Sequence, residues 1–165
     1  AWLGDWSAQL PIEPELLAAS DAAVHVFKEL GADIESLSAP FPLDDIWQSW
    51  IMLRSWSIAC SEAVHYHAPE QRKLLKSEAI WEIERGLSFT GRELHEASVL
   101  RTHWFKKYMN CLEKYDAIIL PSTQIWPFDA KIPYPTEINA QPMDSYHRWR
   151  PVVTPASMFG VPVIL

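Results

Sequence analysis

Asp144, Ser145 and His147 are the residue types of a hydrolytic triad: a hydroxyl to attack, an imidazole to take its proton and a carboxylate to orient the imidazole. Their adjacency speaks against it, because a proton relay needs its three groups converging from separate segments. Ser122 is a better placed hydroxyl, since it follows the apolar run Asp116-Ala117-Ile118-Ile119-Leu120 and Pro121. No Gly-x-Ser-x-Gly elbow surrounds it, so a loop hydroxyl bonded to backbone is the plainer reading. His65-Tyr66-His67 offers two imidazoles, yet positions i and i+2 of a helix point about 200° apart and cannot share one ion. They read as surface histidines, and Glu82 and Glu84 read as a solvated helix face. No metal ligand set and no cofactor motif emerges from these groups, so none is expected.

The elements that must position these residues follow from periodicity. Ala1 to Leu3 reads as a strand, and Pro11 to Glu15 as the approach and first turn of a helix, where a missing N–H costs nothing and acids meet the positive helix end. Leu16, Ala23, Phe27 and Leu30 predict its buried stripe, and Gly31 its left-handed stop. Ala32 to Leu37 is a short strand, which makes a β-α-β unit long enough for a parallel crossover. Pro40 and Pro42 then break the chain. Asp44 and Asp45 open a helix running to about Tyr66, apolar on most faces through Ile46, Trp47, Trp50, Ile51, Leu53 and Ile58, and Pro69 ends it. A shorter helix spans about Lys76 to Leu87 and stops near Gly86. Thr90 with Glu93 has capping-box spacing, and the helix of about Gly91 to Lys114 carries Leu94, Ala97, Leu100, Trp104, Tyr108 and Leu112 on one stripe.

Between Pro121 and Pro151 lies a long segment with Pro127, Pro133, Pro135 and Pro142, in which only a short helix around Asp144 to Trp149 is predicted. Long irregular segments in compact domains are often functional. Trp126, Phe128, Tyr134, Tyr146 and Trp149 order this one. The chain has no internal repeat and no Gly/Ser-rich linker, so residues 1–165 are expected to form a single unit.

Composition excludes several classes. At 165 residues, 48% hydrophobic and 21% charged, the chain can bury a sizeable core. A formal net charge of -7 argues against nucleic acid, whose phosphates call for clustered Lys and Arg. No run approaches the roughly 20 apolar residues of a membrane span, so no membrane partner is expected. Two cysteines, Cys60 and Cys111, fall in apolar helical patterns and are expected as buried free thiols, which favours a reducing, cytoplasmic setting. Most of the nine Trp, including Trp47, Trp50, Trp81 and Trp104, are expected to pack between helices. The apolar run Val161-Pro162-Val163-Ile164-Leu165 reads as a strand without its usual punctuation, and Ala1-Trp2-Leu3 as one entered partway. The expectation is a piece of a larger protein.

An aromatic-ended helix followed by Tyr115-Asp116-Ala117-Ile118-Ile119-Leu120-Pro121, and later by Thr154-Pro155 and Gly160-Val161-Pro162-Val163, resembles the C-terminal part of the amidase signature family of serine hydrolases. Tyr115, Asp116, Pro121, Gly160 and Pro162 fit that pattern; Ser122 stands where the family usually has Thr, and Ser157 where many members carry Asn. Upstream, the first strand, the helix ending in Leu30-Gly31-Ala32 and the second short strand resemble the family's segment after its catalytic region. The resemblance implies an α/β fold, with several helices packed on a mixed sheet. It also implies amide hydrolysis by a Ser nucleophile, a second Ser in a cis peptide and a Lys base, with a Gly/Ser-rich loop for the oxyanion. This chain has five Gly and neither a Gly-Gly nor a Ser-Ser pair, so no catalytic residue is assigned to it and it is expected to be inactive by itself. By the same resemblance the loop after Pro121 faces the active-site mouth. Gln124, Trp126 and Phe128, with His147, are then the candidates to bind a small-molecule amide, and aromatic packing of the loop onto the sheet is the competing reading. Alternatives are a Trp-rich α/β protein-interaction module without catalysis, or an amidase-type subunit of a transamidation complex. A severed sheet edge would also favour a homo-oligomer.

Overall fold

The computed structural model describes residues 1–38 and 40–164. In chain order its elements are α1 (Gly4–Ser7), α2 (Pro14–Glu29), α3 (Leu43–Ser61), α4 (Ala63–His67), α5 (Pro69–Arg72), α6 (Ser77–Ser88) and α7 (Gly91–Leu112). The hairpin β1 (Glu137–Ile138) and β2 (Gln141–Pro142), a 3₁₀ turn (Pro151–Val153) and α8 (Thr154–Phe159) follow. Two compact units result, one of Ala1–Pro42 with Lys107–Leu165 and one of Leu43–Lys106.

In the first unit the β-α-β order is present in reduced form. Trp2 bridges Ser36 on one side and Ile119 on the other, both in parallel. The Trp2 N–H donates to Glu35 O at 2.8 Å and the Leu37 N–H to Trp2 O at 2.8 Å; Leu3 N–H donates to Ile119 O at 2.9 Å and Ile119 N–H to Ala1 O at 2.8 Å. Helix α2 is the crossover between the first two segments. Its Pro lies in the first turn and Gly31 follows at φ 94°, the left-handed stop that periodicity predicts. The predicted stripe is corrected: Leu16 and Val24 are buried with Ser20 between them, whereas Ala23, Phe27 and Leu30 are exposed. The helix is turned so that Asp21 reaches the Trp2 indole, whose N–H donates to Oδ1 at 2.8 Å. Gly4 is required by close approach, because a Cβ there would lie 2.7 Å from Trp2 Cε2. Trp6, fully buried, donates its indole N–H to Phe41 O at 2.8 Å. Phe41, Tyr108 and Phe159 close the aromatic core beside it, with centroids 5.0 to 6.1 Å apart.

The expected mixed sheet under several helices is met only in part. The fold is helix-rich, and among the described residues the one ladder of strands is the two-residue antiparallel hairpin. A strand extends only as far as a neighbour supplies N–H and C=O groups. Trp2 has such neighbours on both sides, while the segments at Ser36 and Ile119 pair through a single bridge each. The hairpin turn, Asn139 and Ala140 at φ 50° and 60°, has the positive φ at both central positions of a type I′ turn. Its usual Asn-Gly signal is hidden by Ala140. Residues Asp144 to Trp149 form turns rather than a helix, held by Arg148 N–H to Ser145 O and Arg150 N–H to His147 O at 3.1 and 3.0 Å. The helix comes later, as α8, and ends in Gly160 at φ 64°. Residues 161–164 form no strand, and Leu165 lies outside the described residues.

In the second unit α3 ends at Ser61, five residues before the predicted end, and α4 and α5 follow as separate short helices, the second opening on Pro69. Gly86 is corrected from a stop to a packing residue. It lies inside α6 where that helix meets α3, and a Cβ would come within 2.6 Å of the Ser55 carbonyl carbon and 2.7 Å of Ala59 Cβ. Glu82 is corrected as well. It is 5% exposed and pairs with Arg54 Nε at 2.8 Å across the same helix contact. Ser49 in α3 donates to Ala97 O in α7 at 2.7 Å. Helix α7 matches its predicted stripe: Ala97 and Trp104 are buried, and Leu94, Leu100, Tyr108 and Leu112 half-buried. Trp47 is buried and stacks on Trp50 at 5.5 Å, while Trp81 is exposed beneath the Arg85 guanidinium. Both cysteines are free, but Cys60 is exposed and Cys111 half-buried, not buried as expected.

The capping box forms as its spacing predicts. The Thr90 N–H and hydroxyl donate to Glu93 Oε2 at 2.8 and 2.7 Å, and the Glu93 N–H donates to Thr90 Oγ1 at 3.2 Å.

Two outcomes follow. Gly86→Ala gains about 1 kcal/mol of helix propensity but drives a methyl onto backbone that cannot yield, an overpacking cost of roughly 1–3 kcal/mol. A net fall in the urea midpoint is expected, and an unchanged or raised midpoint would show that α3 and α6 separate easily. The Thr90 N–H, then its hydroxyl, hold the Glu93 carboxyl below its ordinary 4.5. A depressed carboxylate contributes stability above its unfolded pKa and loses it as pH falls through the folded one. Acid titration should therefore weaken α7 below about pH 4.5. Glu93→Gln should flatten that part of the helicity profile.

Candidate functional site

The segment from Pro121 to Pro151 is irregular yet tied down at a few atoms. Gln124 is fully buried, and both ends of its amide are engaged by backbone: Nε2 donates to Pro11 O at 2.8 Å and Oε1 accepts the Val152 N–H at 3.0 Å. Its carbonyl accepts the Glu13 N–H at 2.9 Å. Two residues on, the Trp126 N–H donates to Glu13 Oε2 at 2.7 Å. One glutamine thus joins three stretches of chain, the approach to α2, the loop after the Pro121 run and the 3₁₀ turn. A buried primary amide has two donors and a carbonyl to satisfy, and backbone groups flanking a proline-rich loop have no ladder of their own.

The rings of Trp126 and Phe128 face outward from this anchored backbone, 50% and 36% exposed. Phe128 meets Trp149 edge to face at 5.6 Å. Farther along, Tyr134 meets Tyr146 at 5.8 Å and Tyr146 meets His147 at 5.1 Å. The Arg150 guanidinium lies 5.0 Å from the Tyr146 ring and 5.2 Å from the Trp149 ring, both at cation–π distance. His147 is fully buried. Of the four sequence candidates, Trp126 and Phe128 offer surface to a ligand; Gln124 and His147 sit inside, under the loop. Glu13 was legible only as a first-turn acid, and nothing in a sequence tells that a side chain reaches 113 residues ahead.

The other chemistry-bearing clusters resolve simply. Ser145 donates its hydroxyl to Asp144 Oδ1 at 3.0 Å, towards the acid and not the imidazole, and Asp144 faces Arg148 at 3.6 Å. Ser122 is exposed on the loop, and Thr123 Oγ1 bonds Ile125 O at 3.0 Å. His65 pairs through Nδ1 with Gln71 Oε1 at 2.7 Å, while His67 packs on Tyr66. Among the described residues no group of three His, Cys, Asp or Glu could hold a metal ion. A shallow cleft of about 470 Å³ in the second unit is lined by Tyr66, His67, Pro69, Arg72, Lys73 and Ile80. Its cations are matched, Arg72 by Glu84 at 2.8 Å and Lys73 by Glu70 at 2.7 Å, so it presents little net charge. The Tyr66 hydroxyl donates to Glu84, which raises its pKa.

Neither a family model nor a curated protein sequence matches the chain. The fold is similar to that of a solved structure, a bacterial aryl acylamidase belonging to the amidase signature enzymes, with a TM-score of 0.69 and 19% identity. The match covers 91% of this chain and 32% of that one, so the chain spans about a third of the solved enzyme's length. At that identity the likeness is one of fold: the chain folds as a portion of an amidase signature enzyme does.

Gln124→Ala removes two hydrogen bonds and leaves the Pro11 carbonyl and the buried Val152 N–H without them. At about 1–3 kcal/mol for each of the two stranded groups, a loss of roughly 2–6 kcal/mol is expected in a urea melt. A loss below about 0.5 kcal/mol would mean that water replaces the amide at no cost.

Proposed function

We propose that this chain is the C-terminal, substrate-pocket portion of an amidase that hydrolyses a carboxylic amide to acid and ammonia, and that Trp126 and Phe128 wall the substrate. The observation that carries the reading is the pairing of two exposed aromatic rings with an immobilised backbone. Exposed rings on a slack loop would lose binding energy to ordering; rings on a pinned loop keep it. Such a wall also excludes water from a carbonyl under attack, which strengthens the hydrogen bonds that stabilise the oxyanion. The likeness in fold to an aryl acylamidase, 19% identical, supports an amide substrate and is compatible with an aromatic group against these rings. Gln124 and His147 serve the pocket from beneath, by holding the loop and its aromatic cluster in place. The nucleophile, the proton-relaying serine and the lysine base are supplied, on this reading, by residues outside the present chain, and the isolated chain is inactive.

The reading is tested by product release from a panel of aliphatic and aromatic amides, using the full gene product that contains this segment beside the 165-residue chain. Activity in the longer protein alone is expected. Trp126→Ala there should raise KM for an aromatic amide about tenfold, since losing roughly half a buried indole face is worth about 1.4 kcal/mol, with kcat little changed. Activity in the short chain, or an unaltered KM, would sink the assignment.

A further inference from the structure

The backbone of the wall residue Trp126 is held from the far end of the chain as well as by the Thr123–Ile125 bond beside it. Its backbone N–H is taken by the Glu13 carboxylate at 2.7 Å, and the Glu13 N–H is in turn taken by the Gln124 carbonyl at 2.9 Å. The two bonds are reciprocal, running one in each direction between position 13 and the stretch 124–126. They fix the direction of the chain through Ile125 and hence the direction in which the indole leaves the loop. Glu13 is well suited to this. Its backbone is extended, at φ -64° and ψ 128°, as the residue preceding a proline must be, and its side chain makes no capping bond to α2. Its carbonyl accepts the Leu16 and Leu17 N–H groups at 3.0 and 3.2 Å, so the residue is anchored at the N-cap of a sixteen-residue helix. A carboxylate tethered to a helix start is a rigid point from which to hold a loop. The acid of the first turn itself, Glu15, is exposed.

We infer that Glu13 is a positioning residue of the proposed pocket: through the Trp126 N–H it sets the angle of the aromatic wall, and with it the preference for amides bearing an aromatic group over small aliphatic ones. The inference rests on the amidase reading for its effect on substrate choice, while the lock itself is a property of this chain. The interaction needs an acceptor oxygen and not a charge, so glutamine should replace glutamate and alanine should not.

The experiment compares Glu13→Ala and Glu13→Gln in the full gene product by two readouts. The first is hydrogen exchange at the Trp126 amide. Exchange should quicken about fivefold in Glu13→Ala, the factor expected for losing one exposed hydrogen bond of about 1 kcal/mol, and stay within twofold of wild type in Glu13→Gln. The second is steady-state ammonia release from benzamide and from propionamide. Glu13→Ala should raise KM for benzamide about fivefold with kcat held and leave KM for propionamide unchanged, and Glu13→Gln should restore the benzamide value. Unchanged exchange in Glu13→Ala overturns the lock. Faster exchange with equal losses on both substrates, or no rescue by glutamine, overturns the positioning role and reduces Glu13 to a general stabiliser. A wild-type enzyme that hydrolyses no amide overturns the amidase reading and the selectivity built on it, and the exchange data then still decide whether Glu13 holds the loop.

Discussion

The first unit depends on one backbone constraint, the insertion of the segment 1–3 between two others. Trp2 is bonded to Glu35 and Leu37 on one side, and its neighbours Ala1 and Leu3 to Ile119 on the other. These partners are more than thirty and more than a hundred residues away, so their pairing closes two loops whose entropic cost must be met by what they bury. Much of that burial is local. Trp2, Leu3 and Trp6 are all at or below 6% exposure, and the indole of Trp2 also ties down α2 through Asp21.

From that constraint the geometry of the candidate site follows. Pairing with Ile119 places the end of the 116–120 run beside the start of the chain, and the same pairing leaves the approach to α2 alongside the loop that follows Pro121. Only then can Gln124 reach the Pro11 carbonyl and Glu13 reach the Trp126 N–H. An irregular loop with several prolines cannot satisfy its backbone groups by itself. Borrowing partners from a helix start and a 3₁₀ turn lets it be both irregular and rigid, the combination that a recognition surface requires.

The second unit uses different means. There the helices approach closely where side chains are absent, as at Gly86, and beside the same contact the buried Glu82 carboxylate is paired with the partly exposed Arg54. Such a pair adds little net stability, but removing its arginine would leave a buried carboxylate unpaired, which is costly. The capping box of α7 is a local device that needs no tertiary partner, which is why its spacing could be read directly.

The sequence by itself determined the features governed by neighbours within one or two turns, the stop at Gly31, the box of Thr90 and Glu93 and the stripe of α7 from Leu94 to Leu112, and it indicated the parallel crossover from the segment at Trp2 to that at Ser36; the pairing with Ile119 it did not show. Gln124, Trp126, Phe128 and His147 were marked as candidates only through the resemblance to the amidase signature pattern, and no periodicity or spacing singled them out. Tertiary structure decided the rest. Whether Gly86 ends a helix or admits another backbone depends on what lies opposite, and the same is true of Glu82, which is solvated on paper and buried in the fold. The face that α2 buries, with Leu16 and Val24, is set by the segments it packs on and differs from its apolar stripe; the same packing brings Asp21 to the Trp2 indole. Gln124 and Glu13 became visible as clasps only once residues 113 apart were neighbours. Periodicity records which residues share a face; the partners that give a polar group its role are contributed by segments whose approach no local pattern encodes.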